Sequence, residues 1–217
     1  MTGKRHSEIV SQIEELIRNG QLKTCERLPA ERVLAGKFKV SRNTIREAIK
    51  ALAENGVVIS RRGAGTFIAE GALAHMIAGS ARKQKRLNDI FEVRKILEPQ
   101  MAALAAGRIT GNQVVELEQV LDKQTEALPI SPGNIELDER FHRLIVEATD
   151  NQALMNLYET LHDILAESRV RELQSNKRYQ ASLQSHHQIL AALKANSARQ
   201  AEDSMRAHMD QVEKNLQ

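Results

Sequence analysis

The sequence predicts a mainly α-helical protein, with an N-terminal winged helix-turn-helix followed by an all-α helical bundle. Leu, Ala, Glu, Lys, Arg and Gln dominate its 217 residues, and these residue types favour helices. Aromatic residues make up only 3% of the chain, whereas strands are enriched in aromatic and β-branched residues. A pattern typical of a β-hairpin occurs at one place, near the end of the N-terminal third.

The composition also limits the class of protein. The single cysteine, Cys25, excludes an intramolecular disulfide and fits a reducing compartment. No apolar run approaches the ~20 residues that a membrane-spanning helix needs. The first residues hold no apolar signal-peptide core. We therefore expect a cytoplasmic protein with no membrane partner.

Positive charge is concentrated in the N-terminal part of the chain. Residues 1–71 hold 13 Lys and Arg against 8 Asp and Glu, a balance of +5. Residues 72–217 hold 18 Lys and Arg against 20 Asp and Glu, a balance of −2. A basic excess confined to one module indicates a polyanionic partner for that module.

Three helices are predicted in this basic module. The first carries apolar residues at helical spacing and ends at Gly20. The second begins near Pro29, because proline suits the first turn of a helix. The third has Ser41 as its N-cap and ends at Gly56.

A β-hairpin is predicted after the third helix, with strands at residues 57–60 and 66–68 and a glycine-containing tip at 61–65. The order of helix, helix, turn, helix and hairpin is that of a winged helix-turn-helix. In helix-turn-helix proteins, the N-terminal end of the recognition helix reaches base edges in the major groove. Arginine can bind both O6 and N7 of guanine there. We therefore expect the module to bind double-stranded DNA.

Four blocks of this module resemble the GntR family of bacterial transcription regulators. They read LPAER at 28–32, VSRNTIREAI at 40–49, LAENG at 52–56 and GAGTF at 63–67. The resemblance implies that a homodimer binds a palindromic operator. It implies the following DNA-binding residues, with the arginines of the helices as the main contacts: Arg32, Ser41, Arg42, Asn43, Thr44, Arg46, Arg62 and Gly63.

Two departures from the family pattern lie at the DNA-binding face. The turn reads Lys37-Phe38-Lys39, where the family usually has a small residue, and Asn43-Thr44 replaces a common Thr-Pro pair. The sequence of the operator therefore does not follow from the resemblance.

The rest of the chain predicts a linker at residues 72–86 and a bundle at 87–217. Six helices with short loops are typical of an all-α bundle. We expect Pro99 to kink the first of them and residues 129–133 to form a break. The six expected ranges are 87–107, 111–127, 134–149, 151–173, 177–196 and 197–216.

The histidines of the bundle carry its clearest chemical signal. Asp138 and His142 lie four residues apart and share a helix face, while His186 and His208 belong to two later helices. One carboxylate and three imidazoles can bind a borderline divalent ion such as Zn, Ni, Mn or Fe. Spacing alone, however, is better explained by ordinary solvated side chains.

Three blocks of the bundle resemble the FCD domain, the effector domain of the FadR branch of GntR regulators, with the helix count of its VanR-like subgroup. They read VRKILE at 93–98, DERFHRLI at 138–145 and HHQILAAL at 186–193. The resemblance implies that Arg94 holds the carboxylate of a small carboxylic or hydroxy acid effector. His187 is an alternative to its neighbour as a ligand. The implied metal ligands are Asp138, His142, His186 and His208.

These features together predict a metabolite-responsive transcription regulator, most simply a repressor, that is not an enzyme. One alternative is a nucleoid protein that binds DNA without sequence preference. Another is a metal-dependent hydrolase, because a metal with open coordination positions can activate water. The absence of a strand-loop catalytic motif from the bundle sequence, and the winged helix fused in front of it, argue against the hydrolase.

Overall fold

The computed structural model describes residues 2–127, 132–169 and 175–214. The chain divides into two compact units, Met1–Gln84 and Lys85–Gln217. Within the described ranges, no helix is long and apolar enough to cross a membrane.

The N-terminal unit has the predicted order of elements. Its helices and strands are α1 (Thr2–Arg18), α2 (Glu31–Phe38), α3 (Arg42–Glu54), β1 (Val58–Arg61) and β2 (Gly65–Ile68). The two strands are antiparallel, and Arg61 pairs with Gly65 next to the tip. This arrangement confirms the winged helix-turn-helix. Pro29 precedes α2 instead of lying in its first turn, because Ala30 is the N-cap residue.

Local chemistry explains where α3 begins and which face it buries. The Ser41 side chain accepts a hydrogen bond from the Thr44 backbone N–H at 3.1 Å, which satisfies one of the free N–H groups at the helix start. Ile45 and Leu52 on one face of α3 are fully buried in a core that includes Ile13 of α1 and Ile68 of β2. The opposite face of α3, including Arg42 and Arg46, is exposed.

Residues 72–86, expected to form a linker, are helical and continuous with the predicted first helix of the bundle. Together they make α4 (Ala72–Ala106), which contains Pro99. The segment before Pro99 contains no proline and is rich in Ala, Leu, Lys and Arg, so Gly79 is its weakest helix former. Ala72 and Met76 of α4 belong to the core of the N-terminal unit.

The C-terminal unit is all-α in its described residues. After α4 it contains α5 (Gly111–Glu126), α6 (Pro132–Glu147), α7 (Gln152–Ala166), α8 (Asn176–Lys194) and α9 (Ala198–Lys214). The helix predicted at 151–173 ends earlier, at Ala166, and continues as one 3-10 turn, Glu167–Arg169. Most of the predicted break at 129–133, the positions 170–173 and the positions 215–216 lie outside the described residues.

Two apolar clusters hold this unit together. The larger one joins α4, α5, α6, α8 and α9 and includes Phe141, Leu144 and Ile189. The smaller one joins α4, α6 and α7 and includes Ile90 and Tyr158. Because α6 contributes to both clusters, its inward-facing side chains are removed from solvent, and this positions the polar residues described next.

Candidate metal centre and nucleic-acid interface

Three buried histidines from three helices meet inside the C-terminal unit. They are His142 of α6, His186 of α8 and His208 of α9, all at most 2% exposed. One ring nitrogen of each lies within 4.8 Å of the others. The centres of the His186 and His208 rings are 4.7 Å apart. The fold thus brings together imidazoles that are far apart in the chain, since His142 and His208 are separated by 66 positions.

Burial keeps two of these imidazoles, those of His186 and His208, in the form that binds metals. Desolvation lowers the pKa of His186 to about 3, and it lowers the pKa of His208 well below its usual value. Both rings are therefore neutral at pH 7, as metal ligands must be. The His186 Nδ1 lies 3.2 Å from the amide oxygen of Gln124. Because that oxygen can only accept, Nδ1 carries the hydrogen and Nε2 keeps its lone pair.

Several buried nitrogens of this cluster fit a metal ion. His208 Nδ1 and His142 Nε2 make no hydrogen bond to any residue in the described part of the chain. A buried polar atom without a partner is costly, and a bound cation would satisfy both. The donor set of imidazole nitrogens suits Zn, Ni, Mn or Fe.

Asp138, the fourth predicted ligand, lies at the edge of the histidine cluster. Its Oδ1 is 3.6 Å from His186 Nε2, and its Oδ2 is 4.0 Å from His142 Nε2. Burial alone would raise the pKa of Asp138, but the neighbouring histidines and Arg169 outweigh it and lower that pKa. The structure therefore brings three of the four predicted ligands into one cluster and places Asp138 beside it, next to His142 and His186. His187 is exposed and lies outside the cluster, in a groove between α5 and α8.

Glu98 of α4 is a buried carboxylate beside the cluster that the sequence reasoning did not assign. Its Oε2 is 2.7 Å from His142 Nδ1, and its Oε1 accepts a hydrogen bond from Arg94 Nε at 2.6 Å. Burial opposes its ionisation, yet Arg94 and His142 hold its pKa well below the usual range. Its position four residues after Arg94 is a sequence signal for that ion pair, but not for its contact with His142.

Arg169 is a second functional residue that the sequence did not reveal. It lies in the 3-10 turn after α7 and is 3% exposed. Its Nε donates a hydrogen bond to Asp138 Oδ2 at 3.0 Å, and its Nη2 is 3.6 Å from Glu98 Oε1. These partners are distant in the chain, so no local pattern indicates them.

Arg94, the predicted effector clamp, is buried and already has partners. Besides its bond to Glu98, its Nη1 donates to Ser168 Oγ at 3.1 Å. Its guanidinium also lies 5.3 Å from the centre of the Phe91 ring. Arg94 therefore borders the histidine site through Glu98.

The predicted DNA-binding residues lie on α2, α3 and the hairpin of the N-terminal unit. Arg32, Arg42, Asn43 and Arg62 are exposed. Thr44 is 7% exposed, and its Oγ1 lies 2.8 Å from Ser41 Oγ. Ser41 and Thr44 thus mainly shape the start of α3.

The hairpin tip has the backbone that close approach to DNA requires. Gly63 has φ +75° with open space around its Cα, a left-handed conformation that glycine adopts at little cost. Beside it, the Arg61 guanidinium lies 5.1 Å from the centre of the Phe67 ring. The wing therefore presents two arginines, Arg61 and Arg62, around a glycine turn.

Arg46, the predicted base-reading residue, is paired with an acidic residue of α2. Its Nη2 is 3.1 Å from Glu31 Oε2, and its Nε donates to Glu31 Oε1 at 3.4 Å. The two side chains are 59% and 31% exposed, so the pair lies at the protein surface.

Both halves of the chain match known protein families. The gntR family of bacterial regulatory proteins matches residues 5–68, and the FCD domain family matches residues 89–211. The two matches correspond to the two resemblances found in the sequence, and together they cover most of the chain.

Similar proteins are transcription regulators. The chain is 34% identical to the HTH-type transcriptional regulator LutR of Bacillus subtilis, over 91% of this chain and 94% of that protein. It is 31% identical to the Uxu operon transcriptional regulator of Escherichia coli K12, over 97% and 86%. It is 29% identical to the transcriptional repressor NanR of Edwardsiella tarda, over 96% and 84%. These relatives confirm that the chain is not an enzyme.

Solved structures share the fold. A GntR protein of Streptococcus agalactiae is 26% identical with a TM-score of 0.53, covering 96% of this chain and 99% of that one. A Zn²⁺-bound FCD domain of another transcriptional regulator has a TM-score of 0.50 at 23% identity, covering 61% of this chain and 93% of that one.

Proposed function

We propose, starting from the fact that this chain belongs to the GntR family of bacterial transcription regulators and carries an FCD domain, that it is a metal-dependent, acid-responsive repressor. As a homodimer it binds a palindromic operator through Arg32, Arg42, Arg46 and the wing. A small carboxylate or hydroxy acid bound in the C-terminal unit releases it from the operator. The observation that carries this proposal is the buried cluster of three histidines beside two buried arginines.

The metal centre is formed by one carboxylate and three imidazoles. A divalent ion, Zn, Ni, Mn or Fe, is held by the following residues: Asp138, His142, His186 and His208. When bound, such an ion supplies positive charge and coordination positions open to an oxygen ligand. A similar solved FCD domain is described as Zn²⁺-bound, which supports this assignment.

The charge balance of the site favours an anionic effector. Arg94 and Arg169 offset the carboxylates of Glu98 and Asp138, and histidines bind a metal ion in their neutral form. A divalent ion therefore leaves about two positive charges in a buried place. Because uncompensated buried charge is costly, an acid that brings negative charge would be bound tightly.

Two donors are available for the acid beside the metal centre. The Arg169 Nη2 and the Tyr158 hydroxyl make no hydrogen bond within the described part of the chain. Burial raises the pKa of Tyr158, so its hydroxyl keeps its proton. Tyr158 and Arg94 line a cavity of the C-terminal unit that is about the size of one water molecule, so an acid must displace neighbouring side chains to enter it. We assign Arg169 and Tyr158 to the effector carboxylate, with Arg94 as the second guanidinium of the site.

Helix α4 offers a route from this site to the DNA-binding unit. Glu98 of α4 contacts His142, while Ala72 and Met76 at the start of the same helix belong to the N-terminal core. A change in the position of Glu98 on effector binding would shift α4 and bias the DNA-binding state.

Paired histidine variants of the full-length protein test this proposal. Operator DNA is first selected from a random pool with the wild-type protein, and binding is followed by fluorescence anisotropy with a panel of small carboxylic and hydroxy acids. Wild type and the control His187→Ala should carry one divalent ion per chain, bind as two chains per duplex, and be released by an active acid. His208→Ala should fold but lose both the metal and the response.

Two results would contradict the proposal. One is a wild-type protein that contains no metal and is not stabilised by Zn, Ni, Mn or Fe. The other is an unchanged acid response in His208→Ala. The two results together would mean that the histidines are ordinary bundle residues, and the unchanged response alone would mean that sensing of the acid does not depend on the metal. In both cases the chain remains a GntR regulator.

A further inference from the structure

The ion pair between Glu31 and Arg46 has a geometry that bears on sequence recognition. Glu31 is the first residue of α2, and Arg46 lies near the start of α3. The two carboxylate oxygens face the Nε and Nη2 atoms of the guanidinium, at 3.4 and 3.1 Å. This is a side-on, two-point contact, which fixes the orientation of the guanidinium plane.

A side-on contact leaves the end of the guanidinium free. The group has five N–H donors, and Glu31 uses the Nε hydrogen and one Nη2 hydrogen. The Nη1 and the second Nη2 hydrogen point away along the end-on edge. That edge matches O6 and N7 of guanine, which accept two parallel hydrogen bonds in the major groove. Arg46 can therefore contact guanine while it remains paired with Glu31.

We propose that Glu31 is a positioning residue that makes Arg46 a base-reading residue instead of a phosphate contact. A free arginine at this exposed place would turn towards the nearest phosphate of any DNA. The Glu31 carboxylate partly neutralises Arg46 and holds its guanidinium in place, so that it does not turn to the phosphate backbone, whose contacts dominate nonspecific binding. Glu31 thus weakens binding to random DNA more than binding to the operator.

The inference rests on the proposed reading of a base by Arg46, so the test examines both residues. Operator and random duplexes of equal length are titrated with full-length wild type, Glu31→Gln, Arg46→Ala and the double variant. Glu54→Gln removes the same charge from the other end of α3, where Glu54 pairs with Lys50 at 4.0 Å, and is the matched control. The readouts are the operator-to-random affinity ratio and the salt dependence of each affinity.

Glu31→Gln should lower the affinity ratio roughly fivefold or more, mainly by strengthening random binding. Its salt dependence on random DNA should steepen by about one unit of slope, as for one more phosphate contact. Arg46→Ala should lower operator affinity by roughly 5- to 150-fold per half-site and reduce the ratio. In the Arg46→Ala background, Glu31→Gln should leave the ratio unchanged, and Glu54→Gln should resemble wild type.

The remaining outcomes separate the two proposals. If Arg46→Ala lowers both affinities equally, Arg46 is a phosphate contact and the proposed base reading fails. If Arg46→Ala lowers the ratio but Glu31→Gln does not, only the positioning role fails. If Glu31→Gln lowers the ratio in the Arg46→Ala background as well, Glu31 contacts DNA directly, for example at a cytosine amino group, and the positioning role is wrong. The same conclusion follows if Glu54→Gln has an equal effect.

Discussion

The carboxylate of Glu98 lies 2.7 Å from Nδ1 of His142, and both side chains are almost completely buried. The two atoms do not have hydrogen-bond geometry, but the negative charge so close to Nδ1 favours hydrogen on that nitrogen, and in a neutral ring the lone pair is then on Nε2. The Nε2 atom is the one that lies nearer to Asp138. Arg94 holds the other oxygen of Glu98. Glu98 is thus placed to orient the His142 ring through the nitrogen that does not face the metal site.

We predict that Glu98→Gln weakens metal binding by about 10- to 100-fold, the usual effect of losing such a supporting carboxylate. Glutamine keeps the size of the side chain and can still accept from Arg94, so the helix content should remain. Competition with a chromophoric chelator measures the affinity, and circular dichroism checks the fold. Glu92→Gln changes an exposed acid of the same helix and is the control. Equal metal affinity in the two variants would show that Glu98 does not contribute to metal binding.

The fold was predictable where local chemistry decides it. Ser41 is an N-cap as its residue type indicates, and the glycines of the hairpin tip lie where two short strands meet. Residues 72–86, predicted as a linker, form the start of α4. A basic run such as Arg82–Arg86 is compatible with a helix as well as with a solvated coil. The spacing of apolar residues does not distinguish a helix from a coil when the segment is weakly amphipathic.

The candidate site was only half predictable for a different reason. Asp138 and His142 share a helix face, and that relation is visible in the sequence. Glu98 contacts His142, 44 positions later in the chain. Arg169 contacts Asp138, 31 positions earlier. Both contacts depend on how separate elements pack. Such charges carry no periodic signal, and they are identified only when burial and distance are known.

Chelation should destabilise the C-terminal unit selectively. A metal that binds only the folded state adds about 2.7 kcal/mol to the free energy of unfolding at a free concentration of 100 times its Kd. Removing it should therefore lower the protection of α8 and α9 amides against hydrogen exchange. The amides of α1 and α3 should be unaffected. Hydrogen exchange with mass spectrometry on the full chain, with and without chelator, measures both regions at once, and equal loss in both units would contradict a metal held by α6, α8 and α9.

His162 should make the stability of the protein depend on pH. Its ring hydrogen bonds to Glu139 and Asp163 raise its pKa above the ordinary value of 6.5. A group with a raised folded-state pKa stabilises the fold fully below the unfolded pKa, and that stabilisation is lost as pH rises through the folded pKa. His162→Gln should therefore cost stability below pH 6.5 and cost none at clearly alkaline pH.

The size of this effect should be modest, at most about 1 kcal/mol, because the side chain is 34% exposed and solvent screens the pair. Urea unfolding of metal-free protein at several pH values measures it, with His187→Gln as the control for loss of a histidine. A cost that stays constant from acid to alkaline pH would show that His162 acts through packing and not through its charge.

DNA binding should weaken steeply with salt because the DNA-binding face is rich in exposed arginines. The logarithm of the binding constant should fall linearly with the logarithm of salt concentration, with a slope of about −0.9 per phosphate contact. Arg62→Ala at the wing should reduce the size of this slope by about one unit. Arg199→Ala, at an exposed position of α9, should not change it. A flat salt response of the wild type would contradict the whole interface.

Two glycines of the N-terminal unit should respond in opposite directions to the same substitution. Gly65 has φ +107°, and a Cβ there would lie 2.7 Å from Arg27 Nε. Gly65→Ala must therefore strain the backbone and displace the Arg27 side chain, so it should destabilise the unit by about 1–3 kcal/mol. Gly36 lies exposed inside α2 with open space around it, and Gly36→Ala should stabilise the unit by about 0.5–1 kcal/mol.

Hydrogen exchange of the α3 amides, measured at increasing urea concentration, gives the free energy of unfolding of each glycine variant and of the wild type. Both changes add the same methyl group, so a difference between them comes from the backbone conformation and the neighbouring atoms at each position. A stabilising Gly65→Ala would mean that the left-handed backbone and the Arg27 contact at the wing are not present in solution. A destabilising Gly36→Ala would mean that the exposed face of α2 is covered by another surface, because helical propensity alone favours alanine there.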